Sequence, residues 1–180
     1  MQILFFGDLK MVDLLATGVA LMMNFSADQW RSVDDSVMGG ISAGRVTATD
    51  QGIRFEGDLS LENNGGFSSV RYPVTQDLSN VTGVRLTLRG DGRRYQFRLR
   101  QDRRFDGVAW RHEFDSSTEW QTLELRFEDF DPVFRGRLVA SAGKVRPEAI
   151  EQIGFLLADK NPGKFYLDIS EIEFITAGER

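Results

Sequence analysis

The run Val84-Arg85-Leu86-Thr87-Leu88-Arg89 alternates apolar and polar side chains strictly, and Tyr95-Gln96-Phe97-Arg98-Leu99-Arg100 does the same. A period of two is that of a β-strand with one buried face. It predicts Val84, Leu86 and Leu88 inward with Arg85, Thr87 and Arg89 outward, then Tyr95, Phe97 and Leu99 inward with Gln96, Arg98 and Arg100 outward. Between the runs, Gly90-Asp91-Gly92-Arg93 reads as a turn that pairs them antiparallel, with their arginines opposed. Like charges opposed on a sheet repel, so this surface needs acidic neighbours or an acidic partner. Further runs of strand character are Ile41 to Ala48 and Gly52 to Leu59, a hairpin around Thr49-Asp50-Gln51. Phe67 to Tyr72, Val108 to Phe114, Trp120 to Phe127, Ile150 to Ala158 and Phe165 to Phe174 follow. In the last, Phe165, Leu167, Ile169 and Ile172 share a face with one slip near Ser170, which predicts a bulge. No segment carries a long 3.6-residue period; short helical turns are expected only at Asp77 to Val81 and at Pro147 to Ala149. About ten short strands with one apolar face fit an all-β, two-sheet sandwich of jelly-roll type.

The 180 residues fit a single domain, with 14 Phe, 3 Trp and 3 Tyr to fill its core. Trp120 opens an alternating strand and is expected in that core; Trp110 shares a face with His112 and Phe114. Cysteine is absent, which excludes disulfides, thiolate metal sites and a cysteine nucleophile. His112 is the single histidine and has no activating partner in the sequence, so a Ser-His-Asp triad and zinc chemistry lack support. The net charge of −5 argues against general nucleic-acid binding. Between Arg85 and Arg111, however, nine basic residues face three acids. The uncharged run Leu14 to Phe25 is too short to span a membrane, and the start lacks the basic, continuously apolar form of a secretory signal. Residues 1–23 therefore read as an extension or misassigned start, 24–176 as the domain and 177–180 as a tail.

Four polar, glycine-containing segments stand at strand boundaries. Trp30 to Ser42 contains Asp34-Asp35-Ser36-Val37-Met38-Gly39-Gly40. The adjacent carboxylates point apart on an extended chain, so loop hydrogen bonding outranks a ligand contact, a metal or an acid–base dyad. Asn63-Asn64-Gly65-Gly66-Phe67 is a tight connection whose residues tolerate left-handed angles; its amides are also candidate ligand contacts. Arg71 shares a face with Phe67. If that face is inward, Arg71 needs a carboxylate, with Asp34, Asp35 and Asp91 as candidates. Asp91 and Arg93 belong to the turn. Arg135 and Arg137 flank Gly136 and offer two guanidinium groups for a carboxylate or phosphate, or else a solvated loop. Asp34 or Asp35, Asn64, Arg71 and Arg135 are expected to converge at one end or edge of the sandwich.

Trp30, Val33-Asp34-Asp35, Val37-Met38-Gly39-Gly40 and Ser42 resemble the opening signature of the complex I intermediate-associated protein 30 family. Phe55-Glu56-Gly57, Leu61-Glu62-Asn63-Asn64-Gly65-Gly66-Phe67, Ser69-Val70-Arg71 and Gly90-Asp91-Gly92-Arg93 resemble its central blocks. Trp120, Phe130, Phe134-Arg135-Gly136-Arg137, Ile153-Gly154 and Gly163-Lys164-Phe165 resemble its later ones, in order, over roughly residues 25–175. The resemblance implies a galactose-binding-like jelly-roll sandwich. It also implies a non-catalytic role of the kind that assists assembly of respiratory NADH:ubiquinone oxidoreductase.

The expected binding residues are therefore Trp30, Asp34, Asp35, Met38, Gly39, Gly40, Asn63, Asn64, Gly65, Gly66, Phe67, Arg71, Asp91, Arg93, Arg98, Arg100, Arg135 and Arg137. No catalytic residue, metal or cofactor is expected. The expected partner is a protein, with respiratory-complex subunits the named class; the expected location is cytoplasmic or peripheral to a membrane. A carbohydrate-binding module, using tryptophan faces, and a binder of an anionic ligand such as RNA are the alternatives.

Overall fold

The computed structural model describes residues 21–178. Its strands are β1 (Leu21–Met22), β2 (Arg31–Ser32), β3 (Ala43–Thr49), β4 (Gly52–Leu59), β5 (Ser68–Pro73), β6 (Val81–Gly90), β7 (Arg94–Arg100), β8 (Ala109–Asp115), β9 (Gln121–Arg126), β10 (Asp131–Phe134), β11 (Arg137–Leu138), β12 (Gln152–Leu157) and β13 (Gly163–Thr176). They form two antiparallel sheets. One runs β3-β4-β13-β6-β9, with β1 on the far half of β13; the other runs β11-β10-β8-β7-β12-β5-β2. Helical structure among the described residues is confined to short 3-10 turns. This is the all-β jelly-roll sandwich that the alternation predicts.

The core lies between the sheets and is built from the inward half of each alternating run. Ile53, Phe55, Val84, Leu86, Leu88, Leu167, Ile169, Ile172 and Phe174 come from the first sheet. Val70, Tyr95, Phe97, Leu99, Ile153, Phe155 and Leu157 come from the second. Each such side chain contributes about 1.5–3 kcal/mol by leaving water. The register of β13 against β6 slips between Ile169 and Glu171, the bulge expected at Ser170. It lets Ile169 and Ile172 both face the core.

Three expectations fail. The turn at Asp91-Gly92 does not make a hairpin: β6 pairs with β13 and β9, while β7 pairs with β12 and β8. An interior strand has two edges, and those of β6 and β7 are all taken, so the turn carries the chain from one sheet to the other. Trp120 is half-buried rather than core, with the Arg89 guanidinium 4.9 Å above its ring. Asp77 to Val81 is a turn closed by Val81 N–H on the Leu78 carbonyl, and by Ser79 on the Asp77 carboxylate, with no helix. The turn at Pro147–Ala149 is present.

Most of the expected extension, 1–20, lies outside the described residues, as do 179–180 of the expected tail. Leu21 and Met22 pair with Phe174 and Glu173, and Met23 is buried in the core.

Candidate functional site

The site begins with how the two glycine-rich loops are held. Asp35 is 0% exposed. Its carboxylate accepts hydrogen bonds from Ser42 N–H at 2.9 Å, Ser42 Oγ at 2.5 Å, Gly66 N–H at 2.7 Å and Phe67 N–H at 3.4 Å. Burial pushes its pKa up, but the bonds from Ser42, Gly66 and Phe67 outweigh that and hold it below the usual carboxylate range. A Cβ at Gly40 would stand 2.3 Å from this carboxylate and one at Gly65 2.6 Å from it; only glycine lets the two loops close on Asp35. Asp34 accepts from Gly44 N–H at 3.1 Å and Ser68 Oγ at 2.6 Å. Both carboxylates are thus consumed inside the fold. Asp35 fastens the Asp35–Met38 turn to the 62–67 loop, where Asn63 and Asn64 adopt φ of +55° and +59°, and Asp34 ties the same segment to β3 and β5.

These loops wall one end of a cleft of about 620 Å³ on the outer face of the seven-stranded sheet. Strand register sets its floor. One row runs Arg111 on β8, Arg98 on β7, Gly154 on β12, Arg71 on β5 and Arg31 on β2. The next row, toward the loops, runs Glu113, Gln96, Leu156 and Ser69. Arg100 lies beyond Arg98, opposite Gln152. Arg98 gives Nε and Nη2 to Gln96 Oε1 at 3.0 and 2.7 Å, and Gln96 Nε2 donates to Glu113 at 3.0 Å. Arg71 donates to the Phe105 carbonyl at 2.9 Å and Arg100 to the Gly107 carbonyl at 3.1 Å.

Among the described residues, Arg71, Arg98 and Arg100 form no ion pair, although Arg100 is only 8% exposed. Burial and then the neighbouring guanidinium of Arg100 lower the pKa of both Arg71 and Arg98, each to about 10; Arg111 and Arg71 add to the effect at Arg98. The other sheet treats its outward arginines differently. Arg54 and Arg89 share Asp168 at 2.6 and 3.0 Å. Arg85 meets Glu124 and Glu173 at 2.7 and 2.8 Å, and Arg45 meets Glu56 at 2.7 Å. The arginines of β6 thus pair directly with carboxylates, whereas Arg98 and Arg100 have acidic neighbours only at a remove: Glu113 beyond Gln96 for Arg98, Asp102 and Asp106 for Arg100. No carboxylate pairs directly with Arg71 either, although Asp106 and Asp102 lie near it: Arg71 and Phe67 do share a face, but it is the cleft side. Asp34 and Asp35 are already committed, and Asp91 lies at the sheet crossing.

The cleft wall collects Met38, Asn64, Gly65, Gly66, Phe67, Arg71, Arg98, Arg100 and Arg135 from the expected set. Asp35 lies just behind it. Arg135 (φ +48°) and Gly136 (φ +77°) form the two-residue turn between β10 and β11. Left-handed angles at both positions are those of a tight hairpin turn. Arg135 pairs there with Asp106. Arg137 is exposed on β11, and Gly39 and Asn63 lie off the cleft wall. Trp30 is a core residue, packed with Phe25, Tyr72 and Phe155. Asp91 accepts from Tyr95 Oη at 3.1 Å and Tyr166 N–H at 3.0 Å, while Arg93 forks onto Asp159 at 2.9 and 2.6 Å; this pair locks the crossing between sheets. Trp110 and His112 face the core side, Trp110 donating to the Gly143 carbonyl and His112 packing on Phe130.

Gln96, Arg111, Glu113, Phe105, Leu156 and Lys160 also line the cleft. The alternation that puts Arg98 outward puts Gln96 outward too, so that one was within reach of the sequence. Phe105 and Lys160 sit on loops that carry no comparable signal. No three acidic or histidine side chains among the described residues gather as metal ligands would.

The model of the Complex I intermediate-associated protein 30 (CIA30) family matches residues 21–169. The mitochondrial Complex I intermediate-associated protein 30 of Mus musculus is 26% identical over 174 residues, covering 83% of this chain and 52% of the mouse protein. The chain thus spans about half the length of that relative. Among solved structures, the family 11 carbohydrate-binding module of the cellulosomal cellulase Lic26A-Cel5E of Clostridium thermocellum superposes with a TM-score of 0.65 at 18% identity. The match covers 88% of this chain and 95% of the module. A family 11 module from the same organism, in complex with a beta-1,3-1,4-mixed-linked tetrasaccharide, gives 0.64 at 18%, covering 89% and 98%. At these identities the likeness is one of fold.

Proposed function

The chain belongs to the Complex I intermediate-associated protein 30 family, and from that premise we propose that it is a non-catalytic binding protein of assembly-factor type. It holds a protein partner in the arginine-floored cleft. The observation that carries the reading is the set of three arginines, Arg71, Arg98 and Arg100, turned into one cleft with no direct ion pair of their own among the described residues, the cleft's carboxylates Glu113 and Asp106 being paired with Arg111 and Arg135. A guanidinium removed from water without a counter-ion is costly, and its planar fork suits an incoming carboxylate. The family and the name of the mouse relative point to subunits of respiratory NADH:ubiquinone oxidoreductase as the partner class, met at the membrane periphery. No helix among the described residues is long and apolar enough to cross a membrane.

A carbohydrate-binding role draws on the fold likeness, but sugar rings favour open aromatic faces. Of the phenylalanines at the cleft, Phe155 points into the core and the Arg71 guanidinium lies 5.6 Å above Phe105, which leaves Phe67 and one face of Phe105.

The test is affinity capture from detergent-solubilised membranes of the source organism, with oxidoreductase subunits quantified by mass spectrometry. The native chain should enrich those subunits, and a folded Arg71→Gln/Arg98→Gln variant should not. No enrichment, or equal enrichment by the variant, overturns the reading.

A further inference from the structure

The cleft is polarised along its length. β5 and β7 are each antiparallel to β12, so the C-terminal ends of β5 and β7 fall together at one end. That end holds Arg100, with Arg135 and the 101–107 loop beside it, including exposed Phe105 and Asp106, and the Arg71 side chain reaches toward it to the Phe105 carbonyl. The opposite end holds Val37, Met38, Leu61 and Phe67, with Lys160 just past β12 as its one cation among the described residues and Leu156 in the floor between. Val37, Met38 and Leu61 are 52%, 56% and 42% exposed. The Asp35 staple ties together the two loops that carry them. Arg71, Arg98 and Arg111 form the middle row, and the missing side chain at Gly154 leaves the floor open between Arg98 and Arg71.

We infer that the cleft takes an extended acidic segment of a partner protein in one direction: carboxylates over Arg98, Arg71 and Arg100, and apolar side chains against Val37, Met38 and Leu61. Three features favour a peptide. The cations are sunk in a floor and clustered, which suits carboxylates projecting from a narrow chain. They are not strung along an outer ridge, where a nucleic-acid backbone would track them. Asn64 at the rim offers its side-chain amide along the same path, as an extended main chain requires. The apolar end consists of a few side chains on two loop tips, enough for one or two partner side chains and too little for an acyl chain. The net charge of −5 also opposes long-range attraction to nucleic acid or an anionic membrane. The ligand class rests on the reading of the chain as a protein-binding module.

Titration calorimetry with acetylated, amidated heptapeptides tests it. One peptide carries three glutamates, a glycine and three leucines; in a second the leucines are serines. The leucine peptide should bind at least tenfold tighter than the serine peptide. Arg98→Gln, and separately Arg71→Gln, should weaken both tenfold or more. Val37→Ser/Met38→Ser should bring the leucine peptide to the level of the serine peptide and leave the latter unchanged. Lys164→Gln, an equal charge change away from the cleft, should alter neither. Thermal melts establish that each variant is folded. Absence of binding by either peptide overturns the inference. So does binding unaffected by both arginine variants, or displacement of the leucine peptide by an oligouridine RNA or by phosphatidylglycerol vesicles. If oxidoreductase subunits are captured through the cleft while neither peptide binds, the ligand class alone falls. If no subunits are captured, the functional reading falls.

Discussion

Asp35 shows how one side chain can hold a site it does not touch. It accepts hydrogen bonds from Ser42, Gly66 and Phe67. An amide at this position would turn a donor toward donors. Asp35→Asn should therefore cost about 3 kcal/mol or more, since hydrogen bonds to a charged group are worth about 1.5–3 kcal/mol each and buried donors left unpaired add to the loss. Chemical denaturation checks the size of the loss. Amide exchange at Gly66 and Phe67 should quicken more than exchange in the core strands. The paired acids beside Gly39-Gly40 read in the sequence as a loop that holds polar groups, and that is their use. The partner of Asp35 at Gly66 is 31 residues away, and nothing local specifies it.

Elements were legible where alternation was strict and obscure where strands were short. β13 with its bulge follows from the spacing of Phe165, Leu167, Ile169 and Ile172. β10 and β11 are four and two residues long, too short for a period to declare itself, yet their hairpin brings Arg135 to the cleft. Gly136 sits at φ +77° with open space around it, so a side chain there meets strain rather than collision. Gly136→Val should cost about 1–2 kcal/mol of backbone strain and loosen this hairpin alone. Hydrogen exchange checks it: the Val139 amide, which donates to the Pro132 carbonyl, should lose protection while β7 and β12 keep theirs. At the other end of the chain, β1 adds two residue pairs, whereas Met23 is 6% exposed and donates its N–H to the Ile172 carbonyl. A chain starting at Met23 should still unfold in one cooperative transition. Within it, Met23→Ala should cost about 2–5 kcal/mol, the range for truncating a buried methionine; calorimetry measures both.

For the whole molecule, two buried carboxylates, Asp35 and Asp168, and the half-buried Asp159 lie below their ordinary range. Burial opposes the shift at Asp159 and Asp168 as at Asp35, and their bonds to Arg93, and to Arg54 and Arg89, overcome it. A carboxyl group whose folded pKa is depressed binds its proton more readily in the unfolded chain. Its contribution is therefore complete above the ordinary value of 3.8 and is lost as pH falls through the lower folded value. Urea midpoints should be flat above about pH 5 and fall steeply below about pH 4. Arg93→Met should lower the plateau and make the acid limb shallower, because Asp159 then gains little from ionisation. Alternation by itself determined which side chains share a face: Tyr95, Phe97 and Leu99 on one, Gln96, Arg98 and Arg100 on the other. That follows from the geometry of a single extended chain, which reverses its side chains at every residue. Which strands became neighbours was decided only when two apolar faces closed on each other. That closure split β6 from β7 despite their turn, gave the arginines of β6 their carboxylates, and set Arg98 among Arg71, Arg100 and Arg111. Strand pairing joins segments far apart in the chain, and its energy comes from burying both faces at once, so no local run of residues encodes it.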